Sequence, residues 1–268
     1  MRVAVTGAQG TIGRVVAHAL TEAGHQVRAL DRTGPEPVDA CDHAALRAAV
    51  DGSDALIHLA GVPSPWRDAG HVVHNTNVTA SFNALSVAAE CGIGRVVLAS
   101  SINAVGGAFS RRARYDYFPV DERHPTYNED PYSLSKWIAE AQADSFARLY
   151  PQLAVVSLRI HGAVDDRVAA ARAVPEMNQA MLVNHLWGYV RLDAVARACL
   201  LALHVSGSGH EVVNIVAPDT VMDVDSRELA ARHYPEVPIR GDLAGRSGFY
   251  DCTKAQEVLG WTHPPATT

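Results

Sequence analysis

The sequence predicts an α/β fold: a doubly wound parallel sheet with a small additional region toward the C-terminus. Three observations predict it. Short apolar runs alternate with helical patterns along most of the 268 residues, the arrangement that gives a parallel sheet covered by helices. The first run, Val3-Ala4-Val5, enters a glycine-rich turn, Thr6–Gly13, and a helix with Ile12, Val15, Val16 and Ala19 on one face follows at once. Little chain remains between Ile160 and Tyr189 or after Pro218, so the region beside the sheet is small.

The elements follow in order. Gln26–Leu30 is a second strand ending at Asp31, and Arg32-Thr33-Gly34-Pro35 is a turn. Val38-Asp39-Ala40 reads as a short strand, with Asp42 as the N-cap of a helix through Val50. Asp54–Leu59 is a buried-type strand running into Ala60-Gly61; Pro63, Pro65 and Trp66 mark a loop before a long helix over about Val72–Cys91. Arg95–Ala99 is the next buried strand and stops at Ser100-Ser101. Gly106–Pro131 is longer than ordinary connections, and such loops are usually functional. A helix over Tyr132–Tyr150 and a strand over Leu153–Ile160 come next. Ala163–Val183 is expected to be helical in parts; Tyr189-Val190 is extended, Leu192–Val205 an amphipathic helix and Glu211–Val216 a last core strand. The sheet core is thus expected over 1–160, with 189–217 returning to it. Residues 161–188 and 218–268 form the small region.

Composition narrows the function. Hydrophobic residues make up 48% and charged residues 19%, ordinary values for a globular protein. The net charge of -6 argues against a nucleic-acid partner, and Arg111-Arg112-Arg114 is too short to be a basic tract. No apolar run approaches the ~20 residues of a membrane span. The chain begins directly with a strand, so no signal peptide is expected and a cytoplasmic location follows. Cys41, Cys91, Cys199 and Cys252 are scattered, and none of the 13 histidines falls in a metal-binding spacing, so no metal site and no disulfide framework are expected.

Two constellations carry chemistry. In the first turn Gly7 can bend tightly, Gly10 lets phosphate approach the backbone, and Gly13 allows close helix–strand packing. The helix that follows offers free N–H groups and a positive dipole end, as a dinucleotide pyrophosphate requires. Asp31 lies near the ~20-residue separation expected of the acidic residue that holds the adenosine ribose. The second constellation is Pro131-Tyr132-Ser133-Leu134-Ser135-Lys136. Tyr132 and Lys136 are one helical turn apart and can meet. An ammonium beside a phenol favours the phenolate, which makes a general base. Lys136 and Lys254 are the only lysines in the chain. Ser101, at the end of a core strand, is placed to hydrogen-bond the reacting oxygen.

With these motifs the chain resembles the extended short-chain dehydrogenase/reductase family, the NAD-dependent epimerase/dehydratase group. Thr6–Gly13 is similar to its TGxxGxxG loop, His58-Leu59-Ala60-Gly61 to its HxAG segment, and Asn77-Val78 to the start of its NVxGT helix. Ser100-Ser101 and Tyr132–Lys136 resemble its catalytic serine and YxxxK. Asp251–Ala255 with Leu259-Gly260-Trp261 resembles its C-terminal DxSKAxxxLGW. The resemblance implies a Rossmann sheet with a substrate-binding C-terminal region, and a cofactor surface made of Gly7, Gln9, Gly10, Thr11, Ile12, Gly13, Asp31, Arg32, Asp39, Ala40, Leu59, Ala60, Gly61, Asn77, Ala99, Tyr132 and Lys136. It implies Tyr132 as the base, Lys136 as the group that lowers its pKa and holds the nicotinamide ribose, and Ser101 as the hydroxyl donor. Asp31 favours NAD; Arg32 beside it leaves NADP as the second choice.

The short C-terminal region resembles uronate dehydrogenases and related sugar 1-dehydrogenases, which implies an NAD-dependent oxidoreductase of a sugar or sugar acid. Ser64, Ser101, Asn103, Arg159, Arg167 and Arg172 are the candidates for substrate contact, the arginines because a guanidinium grips a carboxylate. A sugar-nucleotide 4-epimerase is the alternative, and a non-catalytic dinucleotide sensor the alternative of another class. A dehydratase is rejected, because Ile102-Asn103 after the serine offers no acid/base pair. A homodimer through the helices near Val72–Cys91 and Tyr132–Tyr150 is expected, with Ala80, Leu85, Ala88, Ala139, Ala143 and Phe146 on their outward faces.

Overall fold

Among the described residues six strands form one all-parallel sheet, in the spatial order Gln26–Leu30, Arg2–Thr6, Ala55–His58, Arg95–Ser101, Ala154–Ile160 and Gly209–Ile215. The computed structural model describes residues 1–34, 37–176 and 178–264. In chain order the elements are β1 (Arg2–Thr6), α1 (Thr11–Glu22), β2 (Gln26–Leu30), α2 (His43–Val50), β3 (Ala55–His58), α3 (Gly70–Glu90), β4 (Arg95–Ser101), α4 (Pro131–Leu149) and β5 (Ala154–Ile160). There follow β6 (Ala163–Val164), α5 (Arg167–Ala173), α6 (Gln179–Asn184), β7 (Val190–Arg191), α7 (Leu192–Ala202), β8 (Gly209–Ile215), α8 (Ser226–His233) and α9 (Thr253–Leu259). The chain lays β2 on one side of β1 and β3 on the other. Strand order therefore reverses beside β1, and the crevice at the carboxyl ends of β1 and β3 is the place where such sheets bind ligands.

Strand alternation divides the core. Val3, Val5 and Ile57 face α1, α7 and α9, packing with Val16, Leu20, Cys199 and Trp261. Ala4, Leu56, Val96 and Leu98 face the other way, onto Leu46, Ala84, Leu85, Ala143 and Phe146 of α2, α3 and α4. A third cluster lies off the sheet. It joins Ile102, Tyr115 and Phe118 from the segment after β4 to Leu182, Trp187, Tyr189, Leu229 and Phe249, so the long β4–α4 connection is built into the small region's core. Isolated bridges Phe118–Ile239 and Val120–Tyr250 fasten it to the tail.

Several expectations shift. Val38–Ala40 is not a strand: the Asp39 carboxylate accepts from Cys41 N at 2.9 Å and turns the chain, leaving a single bridge between Asp31 and Pro37. The stretch Ala163–Val183 is helical in parts, as α5 and α6, but its first two residues, Ala163–Val164, pair in parallel with Val190–Arg191. The tail carries two helices, α8 and α9. Ala80, Leu85, Ala88, Ala139, Ala143 and Phe146 are all buried within the chain, whereas Phe82 on α3 and Trp137 on α4 stand 49% and 42% exposed.

Candidate active site

The glycine turn is shaped by close approach. Gly7 sits at φ 70°, and a Cβ there would stand 2.7 Å from the Ala60 nitrogen. A Cβ on Gly13 would come within 2.1 Å of the Gly7 carbonyl oxygen. Helix α1 begins after Gly10 with no side-chain cap, so its first N–H groups are left for a ligand. These features fit a bound pyrophosphate.

One cleft over this turn is lined by Gly7, Gly10, Asp31, Arg32, Asp39, Ala40, Leu59, Ala60 and Gly61. Asp31 is held in place: one carboxylate oxygen accepts from Gln9 N at 3.0 Å, the other from the Thr33 N–H and hydroxyl, each at 3.0 Å. Burial raises its carboxyl, but the hydrogen bonds from Thr33, Gln9 and Arg32 outweigh that and hold it below the usual carboxylate range. A second cleft shares Leu59 and Gly61 with the first and continues over Ile12, Ala99, Ser101, Asn103, Tyr132 and Lys136. The two together run from Asp31 to Tyr132.

Gln9, Thr11, Gly13 and Asn77 do not line either cleft. Gln9 acts through its backbone N–H on Asp31, and Gly13 through packing. Asn77 clamps protein rather than contacting the cleft. Its amide donates to Val62 O and to Ser135 Oγ and accepts from Val62 N, while Ser135 Oγ donates to Tyr132 O. It thereby ties the loop after β3 to the helix that carries Tyr132.

Helix α4 starts where its sequence dictates. Asp130 Oδ1 accepts from Tyr132 N and Ser133 N, both at 2.9 Å, and Pro131 occupies the first turn. The start fixes Tyr132 at the mouth of the helix and Lys136 one turn along, with its Nζ 5.7 Å from the Tyr132 ring centre and donating to Ala99 O at 2.7 Å. Burial pushes the Tyr132 phenol up to about 12, with the Ser101 hydroxyl pulling the other way. Burial also brings Lys136 down to about 8, opposed by Glu140. In this arrangement the ammonium is engaged by a carbonyl, and burial is the largest influence on the phenol. His58, which meets the Thr6 hydroxyl at 2.8 Å, is brought to about 3 by burial and by the Lys136 charge.

The substrate side differs from the sequence expectation. Of the candidates, Ser101 and Asn103 line the cleft. Arg159 is buried in a bidentate pair with Glu140, at 2.9 and 2.8 Å. Arg167 is turned to Asp219 at 3.2 Å and Asp223 at 2.8 Å. Arg172 is exposed on the last turn of α5, and Ser64 Oγ accepts from Trp66 N within its own loop. Each arginine has been claimed by a carboxylate or by solvent. The residues that sequence reasoning missed are Phe109, His161 and His185, which line the same cleft as Tyr132. Phe109 meets Tyr132 edge-on at 5.7 Å and Trp66 at 5.0 Å. Phe109 lay inside the segment flagged as an over-long loop; nothing in the local sequence marked either histidine.

Residues 3–216 match the family model described as the NAD dependent epimerase/dehydratase family. An L-arabinose 1-dehydrogenase (NAD(P)(+)) of Haloferax volcanii is 29% identical over 69% of this chain and 76% of its own length. A uronate dehydrogenase of Pseudomonas syringae pv. tomato is 26% identical over 87% of this chain and 80% of its own. Among solved structures, a UDP-glucose 4-epimerase from Bifidobacterium longum in complex with NAD+ and UDP superposes with a TM-score of 0.73 at 19% identity, covering 99% of this chain and 94% of that one. No helix among the described residues is long and apolar enough to cross a membrane.

Proposed function

The chain belongs to the NAD-dependent epimerase/dehydratase family, enzymes of the extended short-chain dehydrogenase/reductase type, and from that premise we propose an NAD-dependent oxidoreductase acting on a hydroxyl of a sugar or sugar acid. The observation that carries it is the convergence of Ser101, Tyr132 and Lys136 at one end of a cleft whose other end is Asp31. Bound NAD supplies hydride acceptance and return. Gly7, Gly10 and the α1 N-terminus would hold its phosphates, Asp31 its adenosine ribose, and Lys136 its nicotinamide ribose. The Tyr132 oxygen takes the proton of the substrate hydroxyl, and Ser101 donates a hydrogen bond to the same substrate oxygen. Lys136, buried beside the phenol, stabilises the tyrosinate once its ammonium is turned from Ala99 O toward the ribose.

Two outcomes share this chemistry. A dehydrogenase releases the reduced cofactor, and the two curated relatives described above carry that activity in their names. A sugar-nucleotide 4-epimerase retains it. That second reading is favoured by the epimerase superposition, which spans 94% of the longer chain and removes chain length as an argument against it. The deciding experiment follows absorbance of reduced nicotinamide while the protein is mixed with NAD and free sugars, sugar acids or UDP-glucose. Accumulation with a free sugar, abolished by Tyr132→Phe, supports the dehydrogenase. Interconversion of UDP-sugars without accumulation supports the epimerase, and neither result from any substrate would overturn hydride transfer.

A further inference from the structure

We propose that the substrate end of the cleft is built for an uncharged, hydroxyl-bearing sugar, with His185 as the specificity-determining residue and Asn103 as its partner. The inference deepens the reading above and rests on it.

His185 follows α6 directly, and the next two residues, Leu186 and Trp187, sit at φ 54° and 53°. Left-handed backbone is uncommon for bulky side chains and costs energy that surrounding structure must supply. Here it is supplied by burial. Leu186 and Trp187 are 0% and 2% exposed, Trp187 packs on Phe249 at 5.3 Å, and the turn is closed by Leu186 N to Val183 O and Trp187 N to Leu182 O. The consequence is a His185 ring held against the cavity, 4.4 Å from the His161 ring and 6.4 Å from Phe109.

The hydrogen bonds fix the protons. His161 Nδ1 accepts from Gly162 N at 2.7 Å, so its proton is on Nε2, which donates to His185 O at 3.1 Å. Both nitrogens of His161 are consumed by backbone. Gly188 presses on the ring from behind, where a Cβ would stand 2.7 Å from His161 Nε2. On the other side, Asn103 Oδ1 accepts from Ala108 N at 3.2 Å, which orients its Nδ2 toward His185 Nε2 in a long contact of 3.5 Å. That leaves the His185 proton on Nδ1, which meets no acceptor among the described residues.

The cavity that Tyr132 lines is therefore also lined by His185, whose Nδ1–H is unspent, and by the amide-bearing Asn103 and the hydroxyl-bearing Ser101, all uncharged. Burial, which brings His161 to about 4, keeps both imidazoles neutral, and the His161 ring further disfavours charge on His185. No arginine lines the cavity among the described residues, and Lys136 is directed at Ala99 O. Neutral donors pair with hydroxyls at little cost. A carboxylate or diphosphate brought into the same space loses its hydration and meets one cation among the described lining residues, Lys136, whose ammonium is already taken by Ala99 O and, in the reading above, by the cofactor ribose; a buried charge left unpaired costs several kcal/mol.

The test is binding, which needs no turnover. Protein saturated with NADH is titrated calorimetrically with D-galactose, D-glucose and L-arabinose, then with D-galacturonate, D-glucuronate and UDP-glucose. The expected result is that at least one neutral sugar binds about tenfold or more tightly than every charged probe. His185→Phe, which keeps a ring and removes the donor, should weaken that sugar about tenfold, and His185→Asn, which restores an N–H, should recover most of the loss. Tighter binding of any charged probe in the wild-type protein, or binding of no neutral sugar, overturns the proposal whether or not the variants fold. Unchanged binding by His185→Phe does so as well. A neutral sugar that binds but never yields NADH from NAD would sink the dehydrogenase reading and leave this one standing.

Discussion

Arg159 and Glu140 are locked together behind the Tyr132–Lys136 pair: Arg159 Nε and Nη2 donate to the two carboxylate oxygens at 2.9 and 2.8 Å, and Ser100 Oγ donates to the same carboxylate at 2.5 Å. Glu140 lies one helical turn beyond Lys136 on α4, and Arg159 on β5, so the pair pins the catalytic helix to the sheet. Both side chains are under one-tenth exposed. Truncating one member of a buried pair strands the other charge and costs ~3–5 kcal/mol, while removing both with apolar residues costs far less than the sum. Glu140→Ala and Arg159→Ala are each expected to lose that much stability in urea unfolding, and Glu140→Leu with Arg159→Leu to recover part of it. A single-variant loss under ~1 kcal/mol would mark the pair as screened like a surface bridge.

Lys136 gives a pH prediction with a defined sign. Its ammonium falls from 10.5 to about 8 on folding, chiefly through burial. Between those values the unfolded chain binds more protons, so stability rises with pH across that window and the cost of the buried charge is complete below pH 8. Measured as the difference between wild type and Lys136→Met, the wild type should gain on the variant by ~2–3 kcal/mol from pH 8 to 10.5. A flat difference would mean that the ammonium stays hydrated in the folded protein.

Phe82 and Trp137 are the large aromatic side chains that α3 and α4 leave exposed among the described residues, and the two helices pack on one another. We expect this face to be covered by a second copy of the chain. Light scattering should give a dimer mass at micromolar concentration, and Phe82→Glu with Trp137→Glu should give a monomer. A wild-type monomer would remove the expectation.

The sheet was legible because each strand announces itself locally: Val3–Val5 and Arg95–Ala99 are apolar runs bounded by turns, and the glycines of Thr6–Gly13 leave few alternatives for the backbone. Tyr132 and Lys136 were legible for the same reason, since one helical turn relates them. The substrate side was not. His161 and His185 are 24 residues apart and meet only through a left-handed turn at Leu186 and Trp187 that the third core cluster enforces. Arg159 and Arg167 look alike in sequence, as free cations near a site, and only the fold shows that Glu140, Asp219 and Asp223 have taken them. Val38–Ala40 failed differently: a local bond from Cys41 N to the Asp39 side chain competed with strand pairing and won.

Asp31 sets the cofactor prediction. Its carboxylate is fixed by Gln9 and Thr33 and held below the usual carboxylate range, so it stays charged wherever the enzyme is assayed near neutral pH. A fixed negative charge at the adenosine ribose accepts hydrogen bonds from its hydroxyls and repels a 2′-phosphate. Arg32 lines the same cleft and would attract that phosphate, but it stands beside the stronger constraint. Asp31→Asn removes the charge and keeps one acceptor oxygen, which can hold the two Thr33 bonds while the Gln9 N–H loses its partner. The expected outcome is a KM for NADP lower by about tenfold and a KM for NAD higher by a similar factor, with kcat little changed, because the contact is equal in ground and transition states. Adding Arg32→Ala should then cancel the gain for NADP alone. If Asp31→Asn leaves the NADP-to-NAD ratio where it was, the carboxylate is holding the loop rather than reading the ribose.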